Sequence, residues 1–548
     1  MIQPAPPASR TPTHCPPRLR AAIGCVLALT VTLALAQGTA PPPATSVPVP
    51  TAAAGLERII AHIDAGQFQS ATASIDQALV RTDLPTPTRN ALEFQRERMR
   101  RILLDFTLSR AEVQARVRKQ IPDLTDAEFA RWDTAGLLEH MTIDGRTLYF
   151  KRAPGNLFRL STEALARRAV QTPLADGPME SLNDHQRAVY HAALSEGRSS
   201  VLPRRVRMTQ TLSVDADAVP AGETVRAWIP YPRAVPGQQQ DIRYVASQPA
   251  THVIAPGAAL QRTVHLEQPA VAGRKTVFSV TYELTLLAQY HAIDAGKVQP
   301  VSAVRTSVPD CQGDDHPLPC SPFPVPADAT ELAPWLAERP PHIVFTPAMR
   351  AFSRQVVGEE TNPYRIAQKL FAAVDRIPWA GAREYSTISN ISDYALHAGH
   401  ADCGQQTLLL MTLLRMNGIP ARWQSGMVFS DDGSGYNNIH DWAYLYLAPY
   451  GWVPVDVTTG ALHPAANDDA ALQWFYLGGL DAWRIAFNDD YARDWQPAKQ
   501  QFRSDDVDSQ RGEAEWRGGN IYFNQLDYDF RWQVLPARTD VAAPRGGY

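Results

Sequence analysis

The chain has few cysteines, little net charge and no long hydrophobic run beyond its first 36 residues. Its 548 residues include 5 Cys and carry a formal charge of -4. A balance this close to neutral gives no indication of a nucleic-acid partner or an acidic polymer substrate. No nucleotide-binding loop, metal cage or calcium loop is evident, and no later segment is apolar enough to span a bilayer. We therefore predict no cofactor, no bound metal and no integral membrane segment once the leader is removed.

The first 36 residues have the pattern of an export signal. Arg18 and Arg20 precede a mostly apolar run, Ala21 to Ala36, which ends in Ala34-Leu35-Ala36. A basic region, a short apolar region and an A-x-A exit are the three parts that signal peptidase requires. The alternative is an uncleaved anchor, although the run is short for a span of about 20 residues. We expect cleavage near Ala36 and a periplasmic or secreted protein.

Removal of the leader leaves Cys311, Cys320 and Cys403. The first two lie in a polar, turn-rich stretch, and closing such a small loop is typical of disulfides in oxidising compartments. We predict a Cys311–Cys320 disulfide, and the alternative is two unpaired surface thiols. Cys403 is then the cysteine where a reactive thiol is to be sought.

Length and local patterns predict a multidomain chain. Apolar residues recur at helical spacing from Leu56 to Phe106, whereas alternation with period two between about Arg205 and Val298 predicts an antiparallel β-sandwich. The stretch from Trp379 to Ala401 is expected to be a loop. The predicted modules are a signal peptide (1–36), a Pro/Ala-rich linker (37–55), a mainly helical N-terminal domain (56–195), the β-sandwich (203–300), a Pro-rich connector (301–345), a further domain (346–490) and a C-terminal β extension (491–548).

Cys403 is expected at the start of a helix. The run Thr407 to Met416 is the most apolar helical segment after the leader, and Asp402 can serve as its N-cap. On the first turn, unpaired N–H groups and the positive end of the helix dipole favour thiolate over thiol. The same N–H groups could hold a developing oxyanion.

His440 and Asp456 can supply the proton acceptor and its orienting acid. Two strands joined by a turn at Pro449-Tyr450-Gly451 would bring them together. We expect the carboxylate to bond to Nδ1 and Nε2 to face the sulfur. Asp441 is the rival acid, but successive strand residues point to opposite faces.

These residues stand in motifs that resemble the bacterial transglutaminase-like core. The resemblance covers roughly Thr361 to Gly460, with spacings of 37 and 16 residues between Cys, His and Asp. The matching motifs are Asp402-Cys403-Gly404, Arg-x-x-Gly-Ile-Pro-Ala-Arg (415–422), His440-Asp441-Trp442 and Gly451-Trp452-Val453-Pro454-Val455-Asp456.

The resemblance implies an α+β papain-like domain at 346–490, preceded by the β-sandwich. It implies Cys403 as nucleophile, His440 as base and Asp456 as orienting acid. Trp379 and Gln405 are the candidates to complete an oxyanion hole. The function implied is thiol-dependent acyl transfer on a protein or peptide substrate through a thioester.

Other interpretations remain open. Cys403 could be a buried small hydrophobic residue and His440 a core histidine. His397, His400 and Cys403 could suggest a zinc site, although a fourth ligand is not apparent. Hydrolysis, as in an amidase or peptidase, is favoured over transamidation because water is the abundant acceptor for an exported protein. The alternative function is a non-catalytic binding or assembly protein of the cell envelope.

Overall fold

The computed structural model describes residues 52–171, 184–301, 329–430, 435–458 and 472–536. The predicted export signal, most of the linker and both cysteines of the predicted disulfide lie outside these residues. Thr51 to Tyr548 forms one compact unit. Within the described ranges, no helix is long and apolar enough to cross a membrane.

The described N-terminal region contains helices and one small sheet. Ser109 and Thr125 each start a helix with a capping box, in which the side chains of Glu112 and Glu128 reach back to the cap. Helices α1 to α8 are Ala52–Asp64, Phe68–Leu79, Thr86–Asp105, Arg110–Arg118, Asp126–Thr134, Ala153–Leu160, Thr162–Ala166 and Asp184–Glu196. Strands β1 (Phe106–Leu108), β2 (His140–Ile143) and β3 (Arg146–Phe150) form a small sheet of order β1-β3-β2.

The alternating segment forms antiparallel strands. They are β4 (Ser200–Val214), β5 (Thr224–Pro230), β6 (Gln239–Gln248), β7 (His252–Ile254), β8 (Thr263–Pro269) and β9 (Thr276–Tyr290). Strand β9 pairs with β4 and β6, whereas β8 pairs with β5 and β7. Alternate residues of these strands, including Val206, Ala227, Leu266 and Val280, meet in one apolar cluster. Along β4 from Val206 to Val214, buried residues alternate with less buried ones, which is why the sequence alternates there.

The domain that contains Cys403 combines helices with a four-stranded sheet. Its helices are α9 (Pro347–Val357), α10 (Pro363–Asp375), α11 (Ile391–His397) and α12 (Cys403–Met416). Strands β10 (Ala421–Phe429), β11 (Asn437–Leu447), β12 (Gly451–Val455), β13 (Gly479–Leu480) and β14 (Arg484–Asn488) follow. The sheet has the order β12-β11-β10-β14, and β13 joins β9 instead. The buried residues of α12 run from Gly404 to Arg415 and contribute to the largest apolar cluster.

The prediction of a loop between Trp379 and Ala401 is wrong in part, because this segment contains α11 and a short 3₁₀ turn, Tyr385–Thr387. Asn390 starts α11 by accepting a hydrogen bond from the backbone of Asp393. A seven-residue helix has too few turns to show apolar periodicity, so its sequence resembles a loop.

The last strands return to the sheets formed earlier in the chain. They are β15 (Glu513–Trp516), β16 (Gly519–Ile521) and β17 (Leu526–Leu535). Strand β17 pairs with β4 from Leu526↔Val214 to Leu535↔Arg205, and β15 pairs with β5. The C-terminal segment is thereby fixed beside the Cys403 domain, and the residues before β15 reach its site.

Candidate active site around Cys403

A capping box sets the start of α12. The Asp402 carboxylate accepts a hydrogen bond from the backbone N of Gln405 at 3.0 Å, and Gln405 Oε1 accepts one from the backbone N of Asp402 at 3.1 Å. This reciprocal pair satisfies two backbone donors that a helix start leaves open. Cys403 is therefore the first residue of the helix.

The Cys403 thiol faces Asp441. Its Sγ donates to Asp441 Oδ2 at 3.3 Å. The hydroxyl of Tyr385 joins the same group, donating to Asp402 Oδ1 at 2.9 Å and to Asp441 Oδ2 at 3.3 Å. Gly404 allows this approach, because a Cβ there would lie 2.0 Å from the Tyr385 hydroxyl oxygen and 2.7 Å from Asp441 Oδ2.

The expected lowering of the Cys403 pKa is wrong for this structure. Burial raises the pKa of the thiol well above its ordinary value, and the carboxylates of Asp441 and Asp402 raise it further. Burial also raises the pKa of Asp402 to about 6. The pKa of Asp441 is raised well above the ordinary range by burial and by Asp508. Desolvation and nearby acids thus outweigh the helix dipole, and the resting group is a thiol.

His440 and Asp456 meet directly. His440 Nε2 lies 2.8 Å from Asp456 Oδ2, and Arg484 Nη1 donates to the same oxygen at 2.9 Å. Burial alone would raise the pKa of Asp456, but the nearby His440 and Arg484 lower it below its ordinary value. The ring nitrogen that meets the acid is therefore Nε2, not the expected Nδ1. Nδ1 has no hydrogen bond among the described residues and is left for another partner.

Cys403 and His440 do not hydrogen-bond to each other in the described part of the chain. His440 and Asp441 are neighbours on β11, opposite Gly426 and Ser425 of β10. Because alternate residues of a strand face opposite sides, Asp441 faces the start of α12 while the His440 ring stacks on Trp442, with centroids 6.0 Å apart. The structure thus brings His440 and Asp456 together and places Cys403 against Asp441.

Cys403 opens into a cavity of about 250 Å³, here called the Cys403 cleft. Its walls come from the N-terminal region, the segment before α12, the start of β11 and the C-terminal segment. The lining residues are Arg152, Trp379, Gly381, Ala382, Arg383, Glu384, Tyr385, Asp402, Cys403, Asn438, Ile439, Asp441, Asp505, Gln510, Arg511 and Tyr528.

The two oxyanion candidates lie in different surroundings. Trp379 lines the cleft and bridges to Ala401, two residues before Cys403. The guanidinium of Arg159 lies over its ring at 4.5 Å. Gln405 is fully buried, does not line the cleft and uses its oxygen in the capping box. Its Nε2 has no hydrogen-bond partner among the described residues.

The two histidines of the alternative zinc site, His397 and His400, contact groups other than Cys403. His397 Nδ1 lies 2.8 Å from the backbone oxygen of Asp393, and His400 Nε2 lies 3.6 Å from Glu139 Oε2. In the described ranges, no group of three or more His, Cys, Asp or Glu side chains could hold a metal ion.

Sequence reasoning missed three contributors to this site. Gln510 Nε2 donates to the backbone oxygen of His440 at 2.7 Å and to Asp441 Oδ1 at 2.8 Å. Arg511 is paired with Glu384 at 2.8 Å in the cleft wall. Arg484 holds both Asp456 and Asp481. Arg484 could have been noticed as a charged residue in the otherwise apolar segment 482–487, whereas Gln510 and Arg511 stand in a polar segment that gave no signal.

Comparison with known proteins identifies the domain. Residues 350–457 match the model of the Transglutaminase-like superfamily. The uncharacterized protein YebA of Bacillus subtilis is 35% identical over 74 residues, which are 12% of this chain and 10% of YebA. The chain thus spans about a tenth of that curated relative.

Two solved structures share low similarity with the chain. A candidate cysteine protease from Cytophaga hutchinsonii has a TM-score of 0.36 and 15% identity, covering 62% of this chain and 93% of its own. The periplasmic domain of TgpA from Pseudomonas aeruginosa has a TM-score of 0.23 and 13% identity, covering 53% and 96%.

Proposed function

We propose that this chain, which carries a transglutaminase-like domain at residues 350–457, is a thiol-dependent acyl-transfer enzyme acting on peptide or carboxamide bonds. The observation that supports this most is the position of Cys403. It opens α12 at the floor of a cleft, beside the strand that carries His440 bonded to Asp456. A nucleophile, a base and a group that orients the base are the parts that covalent acyl transfer needs.

The proposed reaction forms and breaks one thioester. Sγ of Cys403 attacks the substrate carbonyl, and the thiol proton passes to Nδ1 of His440, because Asp456 occupies Nε2. The C–N bond then breaks, and the amine leaves with that proton. Water attacks the thioester, returning a carboxylic acid and the free thiol. We favour water over an amine as acceptor, which makes the enzyme an amidase or peptidase rather than a transamidase.

Substrate binding has to release the thiol from Asp441. Catalytic hydrogen bonds are often formed only in the substrate complex, so the resting contact with Asp441 is compatible with attack. Backbone N–H groups of the first turn of α12 would receive the oxyanion, with Trp379 as the side-chain candidate that lines the cleft.

Export belongs to the same proposal and is supported by the first 36 residues. Their basic, apolar and Ala-x-Ala parts favour cleavage near Ala36 and a periplasmic or secreted location. An oxidising location also suits the predicted Cys311–Cys320 disulfide. The substrate would then be an extracytoplasmic protein or peptide.

A second candidate function is a non-catalytic binding or assembly protein of the envelope. The observation in its favour is that the Cys403 thiol is hydrogen-bonded to Asp441 and has a raised pKa. A thiol held in this way need not react faster than an ordinary cysteine.

Acylation by p-nitrophenyl acetate separates the two functions. An enzyme should form an acetyl adduct on Cys403, detected by mass spectrometry and removed by hydroxylamine, and then release it to water. Cys403→Ala should lose the adduct and the turnover. Adding a primary amine reports whether the acyl group goes to water or to the amine. A wild-type protein that forms no adduct at Cys403 would support the scaffold function instead.

A further inference from the structure

Two guanidinium groups in the Cys403 cleft form no ion pair with any carboxylate of the described residues. They belong to Arg152, which precedes α6, and Arg383, which lies in the wall before α12. A third guanidinium, that of Arg511, is paired with Glu384 at 2.8 Å. Arg511 and Glu384 therefore neutralise each other. Arg152 and Arg383 form no such ion pair within the described residues, although the charge of Arg152 also acts on the carboxyls of Glu384 and Asp402.

Arg383 is held in place by contacts that leave one donor open. Its Nη2 donates to the backbone oxygen of Thr387 at 3.1 Å, and its guanidinium lies over the ring of Phe106 at 5.0 Å. Its Nε is buried with no hydrogen-bond partner in the described structure. A buried donor without an acceptor is unfavourable, so Arg383 keeps part of its hydrogen-bonding capacity unused in the wall of the cleft.

Arg152 is positioned by Gly381. A Cβ at Gly381 would lie 3.0 Å from Arg152 Cδ and 3.2 Å from its Nη1, so the arginine side chain runs directly across the glycine. The glycine is itself fixed, because Asn156 Nδ2 donates to its backbone oxygen at 2.9 Å and Asn156 Oδ1 accepts from its backbone N at 3.0 Å. The N-terminal region thus presents Arg152 to the cleft against a fixed surface.

The acids that remain in the cleft do not cancel these two charges. Burial raises the pKa of Asp402 to about 6. Burial also raises the pKa of Asp441 and of Asp505 well above the ordinary range. With Asp441 and Asp505 protonated, the three arginines that line the cleft outnumber the carboxylates of Glu384 and Asp402, which leaves an excess of positive charge.

We propose that Arg152 and Arg383 bind a carboxylate of the acyl substrate, close to the carbonyl that Cys403 attacks. The substrate class is an acidic peptide, in which a free carboxylate flanks the scissile carboxamide. Guanidinium groups suit this task because their donors match the two oxygens of a carboxylate. The assignment rests on the proposed function, since it places the anion relative to the attack of Cys403.

Two alkylating reagents of nearly equal size test the anchor. Iodoacetate carries a carboxylate where iodoacetamide carries a neutral amide, and both modify thiols. On the full chain, the ratio of their rates at Cys403 is measured by mass spectrometry and compared with the same ratio for glutathione. We expect the ratio of iodoacetate to iodoacetamide rates to be about fivefold higher at Cys403 than for glutathione. A factor of about five is the effect expected from one exposed ion pair. Arg152→Gln should lower this ratio at Cys403 by about two- to fivefold, because it removes one such ion pair.

Arg146→Gln is the matched control, because Arg146 is an exposed arginine of the same region that does not line the cleft. It should leave the ratio unchanged, and Arg152→Lys should retain part of the preference. Equal ratios for wild type, Arg152→Gln and glutathione would overturn the anchor while leaving Cys403 reactive and the proposed function standing. A Cys403 inert to both reagents would overturn the anchor together with that function.

Discussion

Sγ of Cys403 lies 3.3 Å from Oδ2 of Asp441, the residue that directly follows His440 in the chain. One strand therefore presents an acid to the nucleophile candidate on one face and the base candidate to Asp456 on the other. In the resting structure the thiol is hydrogen-bonded to Asp441, while His440 is hydrogen-bonded to Asp456.

Replacing the carboxyl group of Asp441 by an amide should make Cys403 more reactive. Burial and Asp441 both raise the pKa of the thiol, so Asp441→Asn should move the midpoint of its alkylation to lower pH. The midpoint should stay above that of a free thiol, because burial remains. Iodoacetamide labelling across a pH series measures the shift. Asp393→Asn, which removes a 40% exposed carboxylate on α11, is the control and should leave the profile unchanged. An unchanged profile in Asp441→Asn would show that Asp441 does not influence the thiol.

Gly404→Ala should disturb the site by steric conflict. The new methyl group would lie 2.0 Å from the Tyr385 hydroxyl oxygen and 2.7 Å from Asp441 Oδ2, both of which are fixed by hydrogen bonds. We expect a loss of about 1–3 kcal/mol in the free energy of unfolding. Gly155→Ala is the control, since nothing lies within 4 Å of a Cβ there. Equal stability of the two variants in urea unfolding would contradict the packing described here.

Arg484 should be among the most important residues for stability. It is buried with Asp456 and Asp481, whose side chains are fully inaccessible. Arg484→Met leaves two buried carboxylates without their cation, at a cost of about 3–5 kcal/mol. Arg531→Met removes an arginine that is 83% exposed and should cost less than about 0.5 kcal/mol. Chemical denaturation of both variants provides the comparison, and a small effect at Arg484 would argue against the buried network.

Asp402 should make stability depend on pH near neutrality. Its folded pKa, about 6, lies above the ordinary value of 3.8, so the folded chain holds a proton that the unfolded chain releases. The stabilisation is complete below the unfolded pKa and is lost as the pH rises through the folded one. The free energy of unfolding of wild type relative to Asp402→Asn should therefore fall by up to about 3 kcal/mol between about pH 4 and about pH 7.

Asn keeps the N-cap, so this comparison isolates the charge of Asp402. Asp402→Ser, which also keeps a capping oxygen, should give the same slope against pH. A constant difference between wild type and Asp402→Asn across the series would show that Asp402 ionises alike in both states.

Local patterns in the sequence predicted much of the local structure. Asp402 marks a helix start where the structure has one, because capping depends on neighbouring residues alone. The antiparallel strands followed from alternation. The transglutaminase-like domain followed from motifs within about a hundred residues of chain, and the family model matches residues 350–457.

Contacts between distant segments could not be predicted in this way. Gln510 reaches His440 and Asp441 from a segment 70 and 69 residues further along the chain, and no local pattern specifies that approach. The raised pKa of Cys403 was missed for the same reason. The helix dipole is visible in a sequence, whereas the burial and the facing acids that outweigh it exist only in the folded chain.

We expect Cys403 to form an acyl intermediate by passing its proton to His440. The most direct measurement is the rate of acetylation of Cys403 by p-nitrophenyl acetate in wild type, His440→Ala and His397→Ala, an exposed histidine of α11 that does not line the cleft. A general base contributes about a hundredfold or more, so His440→Ala should be slower by at least that factor while His397→Ala matches wild type. Acetylation of His440→Ala at the wild-type rate would contradict the claim.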